Sequence, residues 1–218
     1  MKSRDINRLL KKNVAPSLPE WTLRGDLLYS CPVEMYLFGF AFSGDTVIPG
    51  CCRLWEFGMP LYIRPVPYIY FTWGELLAHG NRDTYFEIGK PDADAVFAEV
   101  VEIIRRRTSS LRARFESPEG FLRSLDTPIR FVNPFMRLEA EAYTIALIGP
   151  KRRACSALDE LVSEIEANVD DSIDATSPEA LDQAKALRSL AKSSHDSLVE
   201  HLSDTRIASL QAIKIPTS

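Results

Sequence analysis

The spacing of hydrophobic residues changes near residue 90. Before it, apolar and aromatic residues alternate with polar ones or run in short blocks, as strands do; after it they recur three and four apart, as helices do. One short helix precedes the strands. Ile6, Leu9 and Leu10 share a face of Ser3–Asn13, Ser3 supplies a capping hydroxyl, and Asp5 sits where the helix dipole favours an anion. Pro16 and Pro19 end it. Four strands are predicted next. Trp21–Tyr29 stops before Cys31-Pro32. Glu34–Phe42 places Tyr36, Phe38, Phe40 and Phe42 on one face, and Ser43-Gly44-Asp45 reads as a turn. Cys51–Ile63 contains Leu54, Trp55, Phe57, Leu61 and Tyr62, with Gly58 and Pro60 marking a bulge or an edge. Val66–Trp73 alternates Tyr68, Tyr70 and Thr72 with Ile69, Phe71 and Trp73. A weaker fifth strand is Thr84–Ile88, and the short connections favour an antiparallel meander.

Helices follow. Asp92 caps a run carrying Val96, Phe97, Val100, Val101 and Ile104 that ends near Arg107. Ser117-Pro118-Glu119 and Asn133-Pro134 each open a helix with a capping side chain and Pro in the first turn. The second of these runs to Ile148 and breaks at Gly149-Pro150. Lys151–Asn168 carries a stripe of Ala154, Leu158, Leu161 and Ile165. Ser177-Pro178-Glu179 opens a last helix reaching about Ser203, with a thin stripe of Leu181, Ala184, Leu187, Ala191, Leu198 and Leu202.

Composition sharpens the division. Fifteen of the twenty-one Phe, Trp and Tyr lie in residues 1–90 and none follows Tyr143, so sheet and helix are segregated rather than interleaved. The expected class is α+β: a twisted antiparallel sheet of four to five strands in the N-terminal half, packed by helices, with a helical C-terminal portion. Residues 1–130 form the sheet part and 131–218 the helical part, packed as one domain. The 218 residues suffice for a core without staples. Cys31, Cys51, Cys52 and Cys155 read as reduced thiols; the adjacent pair points to opposite faces of a strand and makes a poor metal clamp. The first residues carry no apolar signal region and no apolar run reaches membrane-spanning length, so a cytoplasmic protein with no membrane partner is expected.

The search for chemistry returns mostly absences. Gly-rich nucleotide loops, the Gly-x-Ser-x-Gly elbow, His-Glu-x-x-His and paired Cys-x-x-Cys are all missing, so neither a cofactor nor a metal is expected. His195 and His201 are six positions apart and fall about 240° apart around a helix. Asp83, Glu87 and Lys90, with His79 nearby, invite comparison with two-acid-plus-lysine nucleases. The Glu-x-x-Lys spacing, however, moves the lysine to the opposite face of a strand. Arg105, Arg106 and Arg107 suit phosphate contact, but they equally suit a helix C-terminus, where cations complement the dipole. Lys151, Arg152 and Arg153 open a helix, where that explanation fails.

Net charge is −4, which argues against nucleic acid as the main partner. Nine acids and no base lie from Asp159 to Asp182, and Asp159, Glu160, Glu164, Glu166, Asp170 and Asp171 would suit a basic partner. The aromatics exceed what one sheet face needs. Trp55, Tyr62, Tyr68, Tyr70 and Trp73 are therefore candidates for a partner face.

Arg24-Gly25-Asp26-Leu27-Leu28-Tyr29 with Pro32, Pro60-Leu61-Tyr62-Ile63-Arg64-Pro65 and Phe71-Thr72-Trp73-Gly74-Glu75-Leu76-Leu77 together resemble an uncharacterised bacterial α+β family over about the first 80 residues. That resemblance implies a four-stranded sheet followed by helices and transfers no site residues. The leading expectation is a non-enzymatic protein-binding module, immunity-like or toxin-neutralising, with a basic protein as partner. The alternatives are a hydrolase or nuclease with a non-standard site and a nucleic-acid-binding accessory protein. The thin-striped last helix suits a homodimer as well as packing within one chain.

Overall fold

The computed structural model describes residues 3–44, 48–71, 73–78, 84–90, 93–126, 134–167 and 178–216. The chain divides into two compact units, one from residues 3–59 and 70–117, the other from residues 60–69 and 118–216. The architecture is α+β, with a five-stranded antiparallel sheet followed by helices.

In the first unit, helix α1 (Ser3–Asn13) buries Ile6 and Leu10 and leads through a single 3-10 turn at Ala15–Ser17 into the sheet. The strands are β1 (Trp21–Arg24), β2 (Leu27–Ser30), β3 (Tyr36–Gly44), β4 (Cys52–Pro60) and β5 (Glu75–Leu77), in the spatial order of the sequence. The predicted strand Trp21–Tyr29 is therefore a hairpin. Arg24 pairs with Leu27, and Gly25, at φ 65°, takes the first central position of a two-residue turn. Such turns match the right-handed twist of the flanking strands, and only glycine enters that conformation without steric cost.

None of the described residues of the predicted strand Val66–Trp73 is in a strand: Pro67 within it and Pro65 just before it offer no N–H to a ladder. The fifth place belongs to β5, whose Leu77, Leu76 and Glu75 pair with Leu54, Trp55 and Glu56. Thr84–Ile88 contributes only an isolated bridge between Phe86 and Cys52.

Strand β3 is buried on both faces from Tyr36 to Phe42, not on one. The Trp21 ring meets Phe38 and Phe40 edge-on at 6.2 and 5.2 Å. Helix α2 (Asp94–Phe115) runs well past the expected end near Arg107 and brings Phe115 to stack on Phe38, centroids 6.1 Å apart. A Cβ at Gly58 would lie 2.0 Å from the Phe115 ring, so this glycine makes room for it.

The extra turns of α2 have an electrostatic purpose. Glu56 on β4 is fully buried and its two oxygens accept from Arg107 Nε at 2.8 Å and Arg114 NH1 at 2.9 Å. These arginines are seven residues, about two turns, apart on one helix face. Arg107 also reaches Glu75 on β5, and Arg114 donates to the Trp73 carbonyl at 2.8 Å.

The second unit holds α3 (Pro118–Leu125), α4 (Pro134–Ile148), α5 (Lys151–Ala167), α6 (Pro178–Ser193) and α7 (His195–Ala212). Each helix packs on the next from α3 to α7, and α7 returns to α4. Helix α4 is buried almost all round from Glu139 to Leu147, the signature of a central helix. The expected single last helix is two. Ser194 leaves helical geometry at φ −146°, ψ 122°, and its hydroxyl accepts from Ser197 N as an N-cap. Ala184, Leu187, Ala191, Leu198 and Leu202 are buried as their spacing requires, whereas Leu181 is half-buried.

Removing Glu56 leaves two arginines around an empty buried position. Glu56→Ala is expected to cost about 3 kcal/mol in urea unfolding, the low end for a broken buried pair because both arginines keep some access to water. Glu56→Gln, which keeps the shape and one acceptor, should cost less.

Candidate functional site

Residues 60–69 form an irregular strap in the second unit. Four contacts pin its first half. The Ser209 hydroxyl on α7 donates to the Leu61 carbonyl at 2.6 Å, and Gln183 Nε2 on α6 donates to the Ile63 carbonyl. The Tyr62 hydroxyl lies 2.6 Å from Thr144 Oγ1 on α4. Thr144 sends its own proton to the Ala140 carbonyl, so Tyr62 is the donor of that pair. The fourth contact is ionic. Arg64 NH2 sits 2.8 and 2.7 Å from the two oxygens of Glu139 on α4.

The ends of that ion pair live in different surroundings. The Arg64 side chain is 38% exposed and that of Glu139 only 3%. Burial pushes the Glu139 carboxyl above its ordinary range, and Arg64 only partly opposes this. One turn along α4, burial and then the Glu139 charge raise the Tyr143 hydroxyl as well. That hydroxyl is buried and has no hydrogen-bond partner among the described residues.

Beyond Arg64 the strap changes character. Pro65, Pro67 and Tyr68 are exposed, and Tyr68 is the most exposed large hydrophobic residue described, at 62%. Residues 65–69 make no hydrogen bond to a described residue, so Arg64 is the last tether before Tyr68. The two prolines stiffen what lies between.

The other sequence candidates fall in varied places. Tyr62 and Trp73 are buried, at 0% and 1% exposure, and as placed they present no surface. Trp55 is half-buried in the first unit. Its ring lies 5.5 Å from that of Phe71, and its Nε1 donates to Ser43 Oγ at 3.3 Å. Tyr70 is half-buried.

On α5, Asp159 pairs with Lys192 at 3.0 Å and Arg188 at 3.6 Å, and Glu166 with Lys185 at 2.7 Å, so α6 neutralises both acids. The Lys185 hydrogen bond holds Glu166 below its ordinary range. Glu160 and Glu164 are exposed, and Asp170 and Asp171 lie outside the described residues.

The basic candidates are also divided. Arg105 donates to Glu102 and to the Ser17 carbonyl, Arg106 is exposed, and Arg107 belongs to the Glu56 network. Arg105 borders an open groove of about 430 Å³ along α1 and α2, where Lys12 faces Asp94 and Glu102, so the groove carries no single-signed field. Lys151 Nζ lies 3.4 Å from the Ser193 carbonyl at the end of α6, where a cation complements the helix dipole. Arg152 and Arg153 are exposed.

His79 and Asp83 lie outside the described residues, and Glu87 is paired with Lys90. His195 opens α7 half-buried and His201 is exposed further along it. Among the described residues no three His, Cys, Asp or Glu side chains cluster as metal ligands, and no helix is long and apolar enough to cross a membrane.

Compared with known proteins, the chain matches no family model, no curated protein and no solved structure.

The anchors should differ in strength. Ser209→Ala strands the buried Leu61 carbonyl, at about 1–3 kcal/mol, whereas Tyr62→Phe leaves Thr144 bonded to Ala140 and costs about 1 kcal/mol. Urea denaturation of the two variants should rank them in that order.

Proposed function

We propose that this chain is a non-enzymatic protein-binding module whose contact surface is the outer half of the strap, with Tyr68 as its anchor residue. The observation that carries the reading is a 62% exposed tyrosine directly beyond a segment fixed at four points. An aromatic held ready on an ordered backbone binds well because little ordering entropy remains to be lost on contact. Tyrosine at the centre of an interface is also among the residues most often found to dominate binding energy.

A basic partner, as a toxin-neutralising or immunity-like role would require, draws further support from Glu160, an exposed acid of α5. Asp159 and Glu166 add less, since α6 already satisfies them.

Affinity capture from the source cell, with wild type and Tyr68→Ala in parallel, tests the reading. A stoichiometric protein partner should bind the wild type and lose at least about tenfold in affinity with the variant, the measure of a hot spot near 2 kcal/mol. The substitution is at an exposed position, so folding stability should stay within about 0.5 kcal/mol. Equal binding by both proteins, or capture of no protein at all, would overturn the proposal.

A further inference from the structure

We infer that the outer strap is a ligand for a protein groove walled by aromatic side chains, which grips the Pro65 and Pro67 rings together with Tyr68, rather than a strand that joins a partner's sheet. This mode of recognition rests on the reading of the strap as the contact surface.

The segment carries the features that such grooves read. Pro65, Pro67 and Tyr68 are all exposed, the tyrosine at 62%, so two rigid apolar rings and one aromatic ring face water within a short stretch. Exposure does not alternate as it does on a strand. Pro67 and Tyr68 are exposed side by side, and the better-covered Ile63, Val66 and Ile69 fall three apart. A period of about three residues is that of a polyproline helix, whose backbone makes no internal hydrogen bonds. Residues 65–69 likewise make none to a described residue. Each proline holds its own φ near about −65° and keeps the residue before it, Arg64 or Val66, out of helical backbone. The chain bends at Pro67 and Tyr68, so the extended run before the bend is about one such turn long.

The same features work against strand addition. A strand added to a sheet binds through its backbone N–H and C=O groups. Pro65 and Pro67 withhold their N–H groups, and the bend breaks the line that a ladder follows. An aromatic-walled groove needs neither a full set of donors nor a straight strand. It stacks on proline rings whose conformation is set before contact, so little ordering entropy is lost. The carbonyls of residues 65–69 accept no hydrogen bond from a described residue and remain for donors at the groove, such as a tryptophan N–H or a tyrosine hydroxyl. The bonds to Leu61, Tyr62 and Ile63 fix the chain immediately before this segment, which presents it from an ordered base.

Two isolated modules with aromatic-walled proline grooves, a WW domain and an SH3 domain, serve as probes for the ¹⁵N-labelled full chain. The amide signals of Val66, Tyr68 and Ile69 should shift on addition of at least one of them, with a Kd below about 1 mM. Replacing both prolines, Pro65→Ala with Pro67→Ala, should weaken that binding at least about tenfold. Unchanged α5 to α7 amide signals report that the variant is folded. Strand addition has the opposite sign, because each alanine returns an N–H to the ladder. Binding by the double variant as tight as the wild type's, or no strap shift with either probe, overturns the inference. The partner captured in the Tyr68 experiment separates this inference from the reading beneath it. If Tyr68→Ala loses that partner and the proline double variant keeps it, the strap remains the contact surface and the groove mode fails. If probe binding depends on the prolines but Tyr68→Ala keeps the captured partner, the proline ligand stands and the surface for that partner lies elsewhere.

Discussion

Two prolines within three residues, Pro65 and Pro67, remove the backbone donors that a strand would need. The segment around them cannot join the sheet, and its polar groups must be satisfied another way. The helices of the second unit do this with one hydroxyl from α7, one amide from α6 and two groups from α4. Burial of Ser209, Thr144 and Glu139 on otherwise apolar helix faces follows from that duty, since each has a strap atom as its partner. The order of the strap comes from these side chains, which makes it sensitive to single substitutions in a way that a ladder of backbone bonds is not.

Two buried carboxylates show how the same chemistry serves different ends. Glu56 meets two arginines from one helix face, and its contacts tie α2 to β4. Such a network resists change because each partner holds the others. Glu139 meets Arg64, which is itself part of an irregular segment and partly in water. The first arrangement ties a helix to a strand; the second ties an irregular segment to a helix through a pair buried at one end only.

Much of the fold was legible because its elements obey local rules. The helices Ser3–Asn13 and Pro134–Ile148 end close to the breakers visible in the sequence, and α5 buries the stripe its spacing defines; the Ser3 hydroxyl, expected as a cap, donates to Asp26 instead, and Asn133 lies outside the described residues. The failures have physical causes. Gly25-Asp26 is a recognised two-residue hairpin signal that was overlooked within one run of strand-like spacing, so one strand was expected where two exist. Glu75-Leu76-Leu77 are helix formers recruited as an edge strand by pairing with β4, a tertiary effect beyond local propensity. Val66–Trp73 alternates well, and alternation outweighed the two prolines that forbid the ladder. Within the candidate site, Tyr68 was legible as a surplus aromatic. Glu139 and Arg64 were not, because seventy-five positions separate them and no spacing rule links a loop arginine to a helix glutamate.

The central claim is that the strap is ordered by the helices rather than by strand pairing. Nuclear Overhauser contacts measured on the isotopically labelled chain address it most directly. The account predicts contacts from the Tyr62 ring to the Thr144 methyl and from the Leu61 and Ile63 backbone to the Ser209 and Gln183 side chains, with no cross-strand pattern for residues 65–70. Regular cross-strand contacts from Val66 to Tyr70, or absence of the Tyr62–Thr144 contact in a folded sample, would contradict it.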